Sequence, residues 1–142
     1  MLSHKNVSIL ILVICFCIAC EKDNNDHQST FIIEKIEGVS QKGPFIIGSS
    51  LTVYEIDEFF NQTGKSFNTQ IKDNLGSFEL NNITLLTNYA RFKADGFYYN
   101  EIVNSNSSAS ITLYAISDLT NKTLVNVNLL TSLEISRVEY HG

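Results

Sequence analysis

From Phe31 onward the chain is written in short runs of β-branched and aromatic residues, about six at a time, cut by Gly, Asn and Asp. Side chains alternate across a strand, so a run that alternates apolar and polar residues can bury one face only as a strand. The clearest case is "NYARFKADGFYYNEI". It puts Ala90, Phe92 and Ala94 on one face and Arg91 and Lys93 on the other. "TFIIEKIEGVSQ" reads as a strand. In "SSLTVYEID", Leu51 and Val53 share one face, with Thr52, Tyr54 and Ile56 on the other. "SFNTQIKD" and "SFELNNI", the latter with Phe78 and Leu80 on one face, flank Asp73, Asn74 and Gly76. Those residues supply side-chain acceptors and a backbone free to take positive φ, so the two runs are expected to form a hairpin. Asp95-Gly96 marks a turn or bulge, "NSNSSAS" a loop, and "SITLYAI" the last clear strand, with Ile111, Leu113 and Ala115 in register. Pro44, the only proline, follows Gly43 where a turn or strand edge would hold it. Strands at this spacing predict a mainly β chain, a sandwich of about seven strands.

The end of the chain changes period. "NVNLLTSLEISRVEY" spaces Leu129, Leu130, Leu133 and Tyr140 as a helix would, and Thr131 with Glu134 three residues on reads as a capping box. A short C-terminal helix is expected.

The other end is of a different kind. Val7–Ala19 is apolar apart from Ser8, follows a short polar segment carrying Lys5, and ends in a small residue before Cys20. A membrane-spanning helix needs about 20 apolar residues and a secretory h-region roughly 7–15, so by length this run fits a signal peptide, with an ordinary secretory peptide carrying an incidental cysteine and an uncleaved anchor as the alternatives. All three cysteines, Cys15, Cys17 and Cys20, lie here. Cleavage before Cys20 would leave 123 of the 142 residues with one thiol, hence no disulfide framework and no cysteine metal site. "EKDNNDHQST", Glu21–Thr30, has no apolar residue and reads as a solvated tether. The expected organisation is a signal at 1–19, a tether at 20–30, a sandwich at 31–118 and an extension with a helix at 119–142.

Charge narrows the partners. Ten Lys/Arg less Lys5 leaves nine against fifteen Asp/Glu, a net −6, and the basic residues are scattered singly. Neither nucleic acid nor an anionic lipid surface would be held by charge. An acylated cysteine would have to supply the attachment, and stable anchoring takes more than one acyl chain.

Chemistry-bearing residues are sparse. His4, His27 and His141 lie in the signal, the tether and the penultimate position, so no histidine is positioned to serve a nucleophile or zinc inside the sandwich. Glu55 and Asp57 share a strand face, which could suit an acid/base pair; a solvated strand end is the plainer reading. Asp73 and Asn74 could offer oxygen ligands to calcium but lack the ligand density of a dedicated loop. The aromatic residues Tyr98, Tyr99, Phe59 and Phe60 are candidates for partner contact, since tyrosine pairs a flat apolar face with a hydroxyl. Tyr98 and Tyr99 cannot both point inward. Asn61, Asn82, Asn106 and Asn121 match the glycan acceptor pattern, which arises readily in an asparagine-rich chain. No catalytic residue, cofactor or metal is assigned.

Two resemblances add to this. Ile18-Ala19-Cys20 resembles the lipobox of bacterial lipoproteins, with Cys17 standing where an aliphatic residue is usual. The resemblance implies lipidation of Cys20, removal of residues 1–19 and attachment to the cell envelope. Glu21 is not the aspartate associated with inner-membrane retention, so the outer membrane is implied, and the acidic run resembles surface-export signals. The second is carried by Asp73-Asn74-Leu75-Gly76-Ser77-Phe78 together with Tyr89 through Ala94, Gly96 and Phe97. Phe31 to Ser117 looks like the carboxypeptidase regulatory-like, or transthyretin-like, β-sandwich, whose motif specifies a fold rather than an active site. The whole series also looks like the N-terminal module of larger envelope lipoproteins. Related pilin-type sandwiches carry Lys–Asn isopeptide bonds, for which Lys35 or Lys42, Asn126 or Asn128, and Glu79 or Glu101 could serve. The expectation is a non-enzymatic, lipid-anchored envelope protein acting as spacer or binding platform. An accessory carbohydrate- or protein-binding module with an exposed aromatic edge is the alternative.

Overall fold

The computed structural model describes residues Thr30–His141. The strands are β1 (Phe31–Gln41), β2 (Ser50–Ile56), β3 (Gln62–Gln70), β4 (Ser77–Leu85), β5 (Tyr89–Gly96), β6 (Tyr99–Asn100), β7 (Ser105–Asn106), β8 (Ile111–Asp118) and β9 (Val127–Asn128), followed by the helix α1 (Leu129–His141). They form a sandwich of a three-stranded sheet, ordered β4-β1-β9, and a four-stranded sheet, ordered β3-β2-β5-β8; β6 and β7 make a separate small ribbon. The sandwich is the mainly β architecture that the alternation predicts.

Alternation places the core. Leu51 and Val53 on β2, Ala90, Phe92 and Ala94 on β5, and Leu113 and Ala115 on β8 are buried. They face Ile33, Ile36, Phe78, Leu80 and Ile83 from the other sheet within one hydrophobic cluster. Phe78 and Phe92 join the sheets with ring centroids 6.3 Å apart and tilted, a spacing at which aromatic pairs attract beyond simple burial.

The expected hairpin of "SFNTQIKD" and "SFELNNI" is not formed. β3 pairs with β2, β4 pairs with β1, and the two lie in different sheets. The connection is an arch. Ile71 is 2% exposed within it, and its backbone exchanges hydrogen bonds with Gly48 and Ser49. An arch lets β3 turn Phe67, and β4 turn Phe78, onto one core from opposite sides. The local turn chemistry is as read: Asp73 Oδ1 accepts from the N–H groups of Leu75 (2.9 Å) and Ser77 (3.0 Å), and Gly76 has φ +80. A Cβ at Gly76 would meet the Ser40 carbonyl oxygen at 2.4 Å, so this turn admits glycine for space as well as for φ.

The boundary expected at residue 118 also moves. Leu119, Val125 and Val127 are buried in the same core, and β9 pairs in parallel with Ser40 and Gln41 of β1. Gly38 permits this: a Cβ there would sit 1.7 Å from the Val125 carbonyl oxygen. The sandwich therefore closes only at Asn128, where α1 begins. The cap differs from expectation too. Asn128 Oδ1 accepts the Thr131 N–H at 3.0 Å and Thr131 Oγ1 accepts the Asn128 N–H at 2.9 Å. Thr131 is thus the third helical residue of the box rather than its cap. Thr131 and Ser132 hydroxyls reach the Tyr114 backbone on β8, so the polar first turn faces the sheet. Leu130 and Leu133 stay exposed.

Candidate functional site

The pairing of β2 with β5 gives the sandwich two distinct ends. Ser50 lies opposite Asp95 at one end and Ile56 opposite Tyr89 at the other; six residues at about 3.3 Å each separate them by roughly 20 Å. Phe31 pairs with Leu85 at the Tyr89 end. That end is where the chain arrives from its N-terminal segment and is called here the near pole. The Ser50 end is the far pole.

Tyr98 and Tyr99 belong to the far pole. Beyond Gly96 the chain leaves β5 and bonds to the 44–46 segment, with the Ile46 N–H donating to the Phe97 carbonyl and the Tyr99 N–H to the Pro44 carbonyl. Tyr98 is half-buried and packs on the core edge. Lys42 Nζ lies 4.8 Å from its ring centroid and donates to its hydroxyl at 3.1 Å. Lys42 thus engages this ring at its hydroxyl edge. The Tyr99 hydroxyl pairs with Asn104 Oδ1, and Asn104 turns the ribbon with φ 51. Ile102 (95% exposed) and Val103 stand at the ribbon's tip. Tyr99 lines two shallow depressions. One, of about 370 Å³, is shared with Pro44, Phe45, Ile46, Asn74 and Asn106; the other, of about 320 Å³, with Lys42, Gly43, Tyr98, Asn100, Glu101 and Ile102. Exposed Ile47, Leu75 and Phe97 lie at the same pole. The arrangement offers an aromatic face, amide groups and apolar contact, which is recognition chemistry rather than acid–base chemistry.

Phe59 and Phe60 do not join it. They occupy the β2–β3 turn at the near pole, so the four aromatic residues do not form one edge. Asp57 builds that turn: its Oδ1 accepts from the N–H groups of Phe59 (2.9 Å) and Asn61 (2.8 Å), and its carbonyl from the Phe60 N–H (3.0 Å). The bonds from the Asn61 N–H, foremost, and from the Asn61 side chain and the Phe59 N–H hold its carboxyl below the ordinary range. Phe60 takes φ 64 in the left-handed region and is half-buried, while Phe59 is 67% exposed.

Glu55 corrects the reading of a solvated strand end. It is fully buried. One carboxylate oxygen accepts from Thr63 Oγ1 and the other from the Leu86 N–H. Asp57 lies beyond the strand in the turn, so the two carboxylates serve separate structural jobs and do not converge on a cleft. The signal for this was present in the sequence: Leu51, Val53 and Glu55 share one alternation face, and that face is the core.

The remaining candidates are dispersed. Asp73 and Asn74 sit in the arch, where Asp73 is engaged by backbone N–H groups. Lys35 pairs with Glu37 at 2.5 Å and Glu79 at 3.5 Å. Asn126 Oδ1 accepts from the Val39 N–H, four residues along β1 from Lys35, or about 13 Å. Lys42 engages Tyr98 and Asn128 caps α1, so the described lysines and asparagines proposed for an isopeptide are committed elsewhere. Asn61, Asn82, Asn106 and Asn121 are all exposed. Among the described residues no group of three or more His, Cys, Asp or Glu gathers as metal ligands, and no helix is long and apolar enough to cross a membrane. Cys20, with the signal and tether through Ser29, lies outside the described residues. Lys42, Ile102 and Val103 were not anticipated at the far pole.

No family model, curated protein or solved structure matches the chain.

Proposed function

We propose that this chain is a bacterial lipoprotein of the outer membrane, attached through acylated Cys20, whose sandwich is a non-enzymatic binding platform of the transthyretin-like kind. The observation that carries the platform reading is polarity. The N-terminal segment meets the sandwich at Phe31, on the near pole, while Tyr98, Tyr99 and the two depressions that Tyr99 lines sit on the far pole. A domain tethered by one end presents the other to whatever lies outside. The tyrosines with Asn100 and Asn106 suit a glycan or a protein loop, and the scattered charges and net −6 disfavour nucleic acid.

Attachment is tested by metabolic labelling with a fatty acid. The wild-type chain takes label and Cys20→Ala does not; equal labelling of both removes the lipoprotein reading. Protease shaving of intact cells separates surface display from a periplasmic location. For the platform, a glycan and protein-partner screen is repeated with Tyr99→Ala. A hit that survives this variant undiminished does not use the far pole.

A further inference from the structure

We propose that the near pole is a lipid-contact surface: Phe59, Ile32 and Leu86 rest on the bilayer to which Cys20 attaches the chain. This rests on the anchoring reading above and adds an orientation to it. Three observations lead there. The first is exposure. Phe59 is 67%, Ile32 70% and Leu86 38% exposed, and all three stand at the end where β1 starts and β4 finishes. The second is reach. Ten residues, Glu21–Thr30, separate Cys20 from Phe31, and a chain of that length spans at most about 36 Å. The lipid surface is therefore never far from this pole.

The third is construction. Phe59 is not left on a loose loop. Asp57 fixes the turn beneath it through three accepted N–H bonds, and Phe60 holds an unfavourable left-handed backbone with φ 64. Buried Glu55 ties the two apolar tips together, since it accepts from the Leu86 N–H on one side and from Thr63, at the base of the Phe59 turn, on the other. A rigid aromatic tip loses little side-chain freedom when it is covered. Asp57 and Glu58 directly precede Phe59, so the contact favours uncharged lipid headgroups over anionic ones.

The chain contains no tryptophan, so a single introduced indole reports alone. The full chain is produced in a lipoprotein-processing host with fatty-acid label, as Phe59→Trp and, separately, as Ile102→Trp at the far pole. Each is placed in phosphatidylcholine vesicles with plain or brominated acyl chains. The indole at position 59 should lose emission about twofold in brominated vesicles, as expected of a ring seated some 5–10 Å into the headgroup–acyl boundary. The indole at 102 should not change. A labelled chain whose position 59 is unquenched overturns the orientation and leaves the anchoring intact. The same result with position 59 shielded from aqueous iodide means that protein covers this pole, and overturns it equally. An unlabelled chain removes the anchoring reading. Quenching at 59 on adding vesicles to that unlabelled chain would still support the lipid-contact surface, and its absence would overturn both.

Discussion

Glu55 and Ser40 are both buried polar residues, and the structure treats them oppositely. Glu55 has both carboxylate oxygens engaged, whereas Ser40 Oγ is buried without a partner. Removing a satisfied buried acceptor leaves its donor orphaned, at roughly 1–3 kcal/mol. Glu55→Ala should therefore lower the unfolding free energy by about that amount, chiefly through the stranded Leu86 N–H, because Thr63 can turn to water. Ser40→Ala should be neutral or stabilising by about 1 kcal/mol, since it deletes an unpaired hydroxyl. Urea denaturation of the two variants beside the wild type checks both, and a Ser40→Ala loss as large as that of Glu55→Ala would contradict the account. At this scale the sequence was partly legible. Glu55 was expected at a solvated strand end, although it shares the alternation face of Leu51 and Val53, and no local pattern says that the Leu86 N–H, 31 residues away, donates to it.

Helix α1 is tied to β8 by hydrogen bonds at its first turn. The inward-facing residues there are Thr131 and Ser132, bonded to the Tyr114 backbone, and the leucines point out. Helices normally gain stability from an apolar face turned to the core, so the cap matters more than usual here. Asn128→Ala should destabilise α1 by about 1 kcal/mol. Amide hydrogen exchange should rise through Leu129–His141 while β2 and β5 stay protected; uniform loss of protection would show that the cap supports the whole sandwich instead. The β3–β4 connection makes a similar point about elements. Its turn residues were legible, because Asp73 and Gly76 act locally. Whether the turn closes a ladder or an arch was not, because hairpin and arch share the same local bonds and differ only in which sheet receives each strand.

Among the described residues, Asp57, Asp73 and Asp118 sit below the ordinary carboxylate range, and Glu79 is lowered from 4.5 to about 2. Glu79 is held there first by Lys72, 2.7 Å away, then by Asn81 and Lys35. A carboxylate with a depressed folded pKa contributes stability above its unfolded pKa and loses it as pH falls through the folded one. Stability should be level above about pH 4.5 and decline toward pH 2, with Glu79→Gln flattening part of the slope. Urea midpoints at pH 6, 4, 3 and 2 would show it, about 10 Å of Debye screening being kept constant with 0.1 M salt. The sequence by itself determined the β architecture, the apolar face of β4, β5 and β8, the turn residues of the β3–β4 connection and the short terminal helix, because periodicity and turn chemistry are local. Tertiary structure alone decided that β3 and β4 part company, that residues 119–128 complete the core, and that Phe59 and Tyr98 stand at opposite poles. Those outcomes depend on which strands share a sheet, and side chains distant in sequence settle that by meeting across one core.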